Sequence, residues 1–151
     1  MIEIPVDLGP RRYAIHVGYG AARLIPELLR PLKGRSFVVV SSPRIWALHG
    51  RGIEKSIRAL GPLERVLMPE GERHKTRKTL DRVHDAFLAA GLRRDGIVVA
   101  FGGGVVGDVA GYAAATFMRG VNLVQVPTTC WRWWTAPWAA RSGSTTRRRR
   151  T

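Results

Sequence analysis

Short apolar runs alternate with amphipathic stretches along most of this 151-residue chain. Residues 2–6 (IEIPV) and 13–17 (YAIHV) read as two strands, and the LGPRR between them suits a hairpin turn. A helical pattern over 21–32 precedes an apolar strand at 36–41, a helix within 44–60 and a strand at 64–68. Over 76–92, Leu80, Val83, Phe87 and Leu88 follow at spacings of three, four and one, giving an apolar stripe with charges opposite. Gly91 is placed to close that helix. The clearest unit comes next: a β-rich run at 96–101 (GIVVAF), the turn GGGVVGD, an alanine-rich helix over 106–118 and a strand at 122–126. That is a βαβ crossover with a glycine-rich first turn. The alternation predicts an α/β fold with a mostly parallel sheet, and no internal repeat is visible.

Composition adds bounds. A 45% hydrophobic chain of this length can bury one core. No apolar run approaches the ~20 residues of a membrane helix, and MIEIPVDLG has neither a basic nor an apolar leader segment, so a cytoplasmic location without membrane partners is expected. The lone Cys130 excludes an internal disulfide and any multi-cysteine metal site. A net charge of +14 suggests a polyanion, but six of the 25 basic residues (Arg132, Arg141 and Arg147 to Arg150) lie beyond residue 129. The remaining 19 face all 11 acids, leaving a body of only +8. Nucleic-acid binding is therefore the minority reading.

Gly102, Gly104 and Gly107 fit the G-x-G-x-x-G spacing, directly after a strand and opening a helix. Glycines there permit close approach of a pyrophosphate, and the helix end supplies N–H donors and partial positive charge. A tight structural βα turn explains the same spacing. Two features depart from the usual dinucleotide fingerprint: the motif comes late in the domain, and the chain reads NLVQVP where a ribose-binding acid is expected ~20 residues on. Asp108, read as lying in the first turn, could cap its helix or meet a nicotinamide or ribose hydroxyl. A second cluster, MPEGERHKT at 68–76, brings Glu70, Gly71, Glu72 and Lys75 to the carboxyl end of a strand, where ligands of open α/β sheets bind. A solvated loop is the plainer account of it. His74 reads as an exposed polar residue, and His16, His49 and His84 show no metal-ligand spacing.

PEGERHKT and LRRDGIVVAFGGGVVGDVAGYAAATFMRGVNLVQVPTT together resemble the N-terminal half of the 3-dehydroquinate synthases, from about Ile2 through Thr129. The resemblance implies a Rossmann-like NAD-binding domain followed by a mostly helical domain, absent from this sequence, that holds a divalent metal, zinc or cobalt. It implies a carbon–oxygen lyase of the shikimate pathway. Such an enzyme converts a phosphorylated sugar acid, 3-deoxy-D-arabino-heptulosonate 7-phosphate, to 3-dehydroquinate as a homodimer. By position, Glu70, Gly71, Glu72 and Lys75 match the family's loop against the dinucleotide. Gly104, Val105, Val106, Gly107 and Asp108 match its pyrophosphate and nicotinamide-side loop, and Thr128 and Thr129 its paired threonines. Arg119 matches an arginine that reaches substrate across the dimer. Ser41 and Ser42 stand where many members have Asp or Asn. The related glycerol and iron-type alcohol dehydrogenases carry a Lys where this chain has Gly111, which favours the synthase over a dehydrogenase fragment.

Residues 130–151 look unlike the rest, with four of five tryptophans and the arginine run. The family continues with something like LLAQVDSSVGGKTGVNH. Back-translating CWRWWTAPWAARSGSTT with suitable third positions and restoring one C in front yields LLALVDSSVGGKIGVNH. A single-base deletion at codon 130 thus accounts for the tryptophans, the cysteine and the change of character together. The expectation is a domain over 1–129 and a disordered out-of-frame tail over 130–151. Thr135 and Arg141 take the places of the family's Asp and Lys, no metal ligand remains in the chain, and the polypeptide as written is expected to be inactive. A tryptophan- and arginine-based nucleic-acid-binding tail is the alternative.

Overall fold

The computed structural model describes residues 1–32 and 35–129. The expectation for residues 130–151 falls outside them. Two strands, β1 (Ile2–Val6) and β2 (Tyr13–Val17), pair antiparallel with Ile2 opposite Val17 and Val6 opposite Tyr13, as the alternating pattern predicts. The hairpin forms its own two-stranded sheet.

The helix expected over 21–32 is broken into a 3₁₀ turn at Ala21–Leu24, one turn of α-helix, α1 (Ile25–Leu28), and a second 3₁₀ turn at Arg30–Leu32. The prolines explain the difference. Pro26 sits in the first turn of α1, where its missing N–H costs nothing, whereas Pro31 would lose an intrahelical bond and clash with the carbonyl of Glu27. Ile25 and Leu29 still anchor the segment in the core.

A parallel sheet of four strands follows: β3 (Phe37–Ser41), β4 (Leu63–Leu67), β5 (Ile97–Gly102) and β6 (Asn122–Pro127), in the order β4-β3-β5-β6. Three helices make the crossovers: α2 (Pro43–Arg58), α3 (Arg77–Ala89) and α4 (Gly104–Thr116). Ser42 caps α2, its hydroxyl accepting from the Ile45 N–H at 3.4 Å, and Thr76 caps α3 through the Thr79 N–H at 3.3 Å. Gly91, at φ +62°, ends α3: its N–H reaches the Leu88 carbonyl and the Leu92 N–H reaches the Phe87 carbonyl at 3.0 Å. This paired closure satisfies the last helical carbonyls while burying Leu92 beside Phe87.

β3 and β5 are buried on both faces, so their sequences, FVVVS and IVVAFG, read as continuous apolar runs. Val38, Val40, Val98 and Ala100 face α3 and α4 in one core layer. Phe37, Val39, Ile97, Val99 and Phe101 face Ile25, Ile53 and Ile57 in the other. Each such side chain, fully withdrawn from water, contributes roughly 1.5–3 kcal/mol before its ordering cost. Among the described residues no helix is long and apolar enough to cross a membrane.

Candidate functional site

The strand order reverses between β3 and β5, because the chain steps outward to β4 after β3 and returns to the other side of it for β5 and β6. Open parallel sheets bind ligands in the crevice at the carboxyl ends of the strands flanking such a reversal. Four loops converge there, one after each strand. Met68 N–H donates to the Ser41 carbonyl at 2.9 Å, and Thr128 N–H to the Gly102 carbonyl at 3.0 Å, holding the loop starts side by side.

The three motif glycines divide their work. Gly102 is the last residue of β5, where an added Cβ would stand 2.9 Å from the Cβ of Val106, so its bareness lets helix and strand pack. Gly103 is the N-cap of α4 and has no side chain to cover the helix end. At Gly104 an added Cβ would meet nothing within 4 Å, so its flank faces open space large enough for an approaching phosphate oxygen. Gly107 is buried, and its N–H closes the first turn onto the Gly103 carbonyl at 3.0 Å. Val106 belongs to the core and Val105 packs against it, so the side chains of both are taken up by packing.

Because α4 begins at Gly104, earlier than the expected 106, Asp108 is the fifth helical residue rather than a first-turn cap. Its carboxylate instead bonds Lys75, Nζ to Oδ2 at 3.0 Å, and Lys75 also holds Glu72 Oε1 at 3.1 Å. The loop after β4 is thereby drawn onto α4, across 33 residues of sequence. Gly71 makes the bend at φ +97°, and Glu72–His74 form one 3₁₀ turn leading to Lys75. Hydrogen bonds that the Lys75 ammonium donates, to Asp108 first and Glu72 second, hold it above its usual pKa of 10.5, and a modest desolvation opposes them. Glu70 is exposed on the same loop.

Thr128 and Thr129 complete the rim. Thr128 Oγ1 is buried and has no hydrogen-bond partner among the described residues, the single such side-chain atom found among them. Thr129 is exposed and lies 3.5–3.6 Å from the position a Gly103 Cβ would occupy, flanking the glycine turn. Ser41 and Ser42 are buried at the end of β3. Arg119 is exposed outside this cluster, where Met118 and Arg119, at φ +47° and +67°, reverse the chain after α4. The site therefore gathers Glu70, Gly71, Glu72, Lys75, Gly104 to Asp108 and both threonines, and leaves Arg119 apart. Gly103 and the Lys75–Asp108 pairing are the parts of the cluster that sequence reasoning does not single out. GGG is visible as a motif, but which glycine packs and which faces open space depends on the helix start.

Among the described residues no group of His, Cys, Asp and Glu is arranged to hold a metal. His84 is a structural residue: its Nε2 lies 3.2 Å from the Ala113 carbonyl and 3.0 Å from Thr116 Oγ1, with its ring against Phe87 and Phe117.

Residues 65–136 match the family model described as 3-dehydroquinate synthase N-terminal. A 3-dehydroquinate synthase from Pelotomaculum thermopropionicum is 44% identical over 131 residues, covering 85% of this chain, and one from Pseudomonas fluorescens is 42% identical over 130. This chain belongs to the 3-dehydroquinate synthase family. It spans about a third of the length of those curated relatives, 35% in each case. Among solved structures, 2-deoxy-scyllo-inosose synthase superposes with a TM-score of 0.76 at 24% identity, over 85% of this chain and 36% of its own, a likeness of fold. A 2-epi-5-epi-valiolone synthase from Streptomyces hygroscopicus, solved with NAD+ and Zn2+ bound, superposes at 0.63 with 26% identity, over 76% of this chain and 34% of its own. The family and fold expected from GGGVVGD and PEGERHKT are thus both found.

Proposed function

We propose that residues 1–129 are the NAD-binding half of a 3-dehydroquinate synthase. The observation that carries this reading is the Lys75–Asp108 bond, which closes the loop of Glu70, Gly71 and Glu72 over the glycine turn at the switch point of the sheet. The cradle fits a dinucleotide on two further counts: the open flank of Gly104 admits a phosphate, and Thr128 Oγ1 is a buried hydroxyl left to bond a ligand. The 2-epi-5-epi-valiolone synthase of similar fold, solved with NAD+ bound, supports the same assignment.

In this reading the N–H groups of the first turn of α4 and the helix dipole bind the pyrophosphate. Thr128 and Thr129 hold it from the β6 side. Asp108, fixed by Lys75, meets the nicotinamide or a ribose hydroxyl, and Glu70 and Glu72 line the opposing loop. NAD, when bound, supplies a hydride acceptor that returns its hydride within one turnover of 3-deoxy-D-arabino-heptulosonate 7-phosphate, allowing phosphate to leave by elimination. The divalent metal implied by the resemblance, zinc or cobalt, finds no ligand set among the described residues, and no step is assigned to it in this chain. The lyase class, the homodimer in which Arg119 reaches a neighbouring site, and a cytoplasmic location belong to this proposal.

Residues 130–151 enter the proposal as an out-of-frame segment that replaces the family's Asp and Lys with Thr135 and Arg141. Arginine stays protonated and cannot take over a lysine's proton transfer, so the chain as written is expected to bind NAD without turnover. Saturable NAD binding by the purified 151-residue chain is expected in calorimetric titration, and its absence sinks the binding reading. Release of phosphate from the heptulosonate by the same preparation would refute the inactivity. Sequencing the coding DNA beyond the codon for Thr129 tests the frame: the neighbouring register should continue as a synthase.

A further inference from the structure

The crevice between β3 and β5 has two walls, the glycine turn after β5 and the junction of β3 with α2 at Ser41, Ser42, Pro43 and Arg44. A dinucleotide has a ribose on each side of its pyrophosphate. With the pyrophosphate on the first turn of α4, one nucleoside extends over β6 and its threonines, and the other over β3. Sites that select a free 2′-hydroxyl place a carboxylate at the ribose, which accepts its hydrogen bond and repels a 2′-phosphate. Sites that take the phosphate offer an arginine.

The β3 wall holds no carboxylate. No Asp or Glu occurs from residue 41 through 53, a span covering the junction and the first three turns of α2. Ser41 and Ser42 are buried, and their hydroxyls are spent locally, Ser42 on the Ile45 N–H at 3.4 Å and Ser41 on the Ser42 carbonyl at 3.5 Å. Arg44 is exposed at the second helical position of α2 and makes no ion pair among the described residues. On the neighbouring loop, Glu72 is paired with Lys75, and the loop carrying Glu70 is fastened to the α4 side through Asp108.

We infer that the ribose pocket over β3 admits a 2′-phosphate with Arg44 as its counter-charge, so that the site takes NADP as well as NAD. This rests on the dinucleotide reading above and adds a specificity to it. The guanidinium suits a phosphate because its planar donors pair two oxygens at once.

The test is calorimetric titration of the full 151-residue chain with NAD and, separately, with NADP. The two affinities are expected to agree within roughly tenfold, the worth of one charge-assisted hydrogen bond. Arg44→Glu should weaken NADP at least about tenfold more than it weakens NAD. Ser42→Asp keeps a helix-capping oxygen while adding the missing carboxylate, and should shift the preference toward NAD; circular dichroism checks that α2 is retained. NAD binding with NADP weaker by more than that margin overturns the inference and leaves the proposed function standing. So does an Arg44→Glu loss that is equal for both, or a Glu70→Gln loss confined to NAD, which would place the ribose carboxylate on the other loop. Binding of neither dinucleotide overturns the proposed function itself, and the inference with it.

Discussion

Gly102 and Gly104, two residues apart, should respond oppositely to the same substitution. A methyl group at Gly102 meets Val106 Cβ and Cγ2 at 2.9 Å with both partners buried, so Gly102→Ala is expected to cost about 1–3 kcal/mol in urea denaturation through overpacking. Gly104→Ala adds a methyl into open space in a helical position, so the fold should hold or gain while NAD binding falls at least several-fold. Equal stability losses at both positions would refute this division. The Lys75 contacts behave differently again. Nζ bonds two carboxylates but the side chain is 42% exposed, so Lys75→Met should change stability by no more than about 1 kcal/mol. The folded-state pKa is raised, so that stabilisation is complete below the unfolded value of 10.5 and is lost as pH climbs through the higher folded value. Parent and Lys75→Met chains should therefore differ in denaturation midpoint at neutral pH and converge only in strong alkali. Convergence near pH 7 would show that Asp108 and Glu72 do not hold the ammonium.

At the level of elements, most of the architecture was legible because the signals were local. Thr76, the stripe of Leu80, Val83 and Phe87, and Gly91 mark α3 from cap to cap, and the φ of +62° at Gly91 supplies the reason for a glycine there. Gly91→Ala is expected to destabilise by about 1 kcal/mol, Gly91→Asn by less, as read from urea midpoints. The segment over 21–32 was misread because its apolar spacing is helical while Pro26 and Pro31 forbid one continuous helix; sterics outrank periodicity. Asp108 was placed in the first turn because sequence does not show that α4 begins on Gly104, within the glycine run itself. The Lys75–Asp108 contact was hidden for a different reason. It is made across a crossover, and no local pattern encodes which loop bends over which helix.

For the molecule as a whole, stability is unevenly spread. The β1–β2 hairpin is a separate two-stranded sheet with Ile2 and Ile4 largely exposed, whereas β3 and β5 lie at the centre of both core layers. Two-stranded sheets are marginal on their own. Native-state hydrogen exchange should therefore find the amides of 2–6 and 13–17 exchanging by local opening, well before those of 37–41 and 97–102. Comparable protection in both would mean that something further clamps the hairpin. The double burial of β3 and β5 reaches beyond stability. Phe37 pairs with Ile97 and Val40 with Ala100, and sliding one strand by a single residue would throw each phenyl and branched chain into the opposite layer. The ledge from which Ser42 and Gly103 project is thus cut to a fixed height while the protein folds. A dinucleotide bound as proposed would meet masonry already set, with little of its affinity drained into arranging the stones.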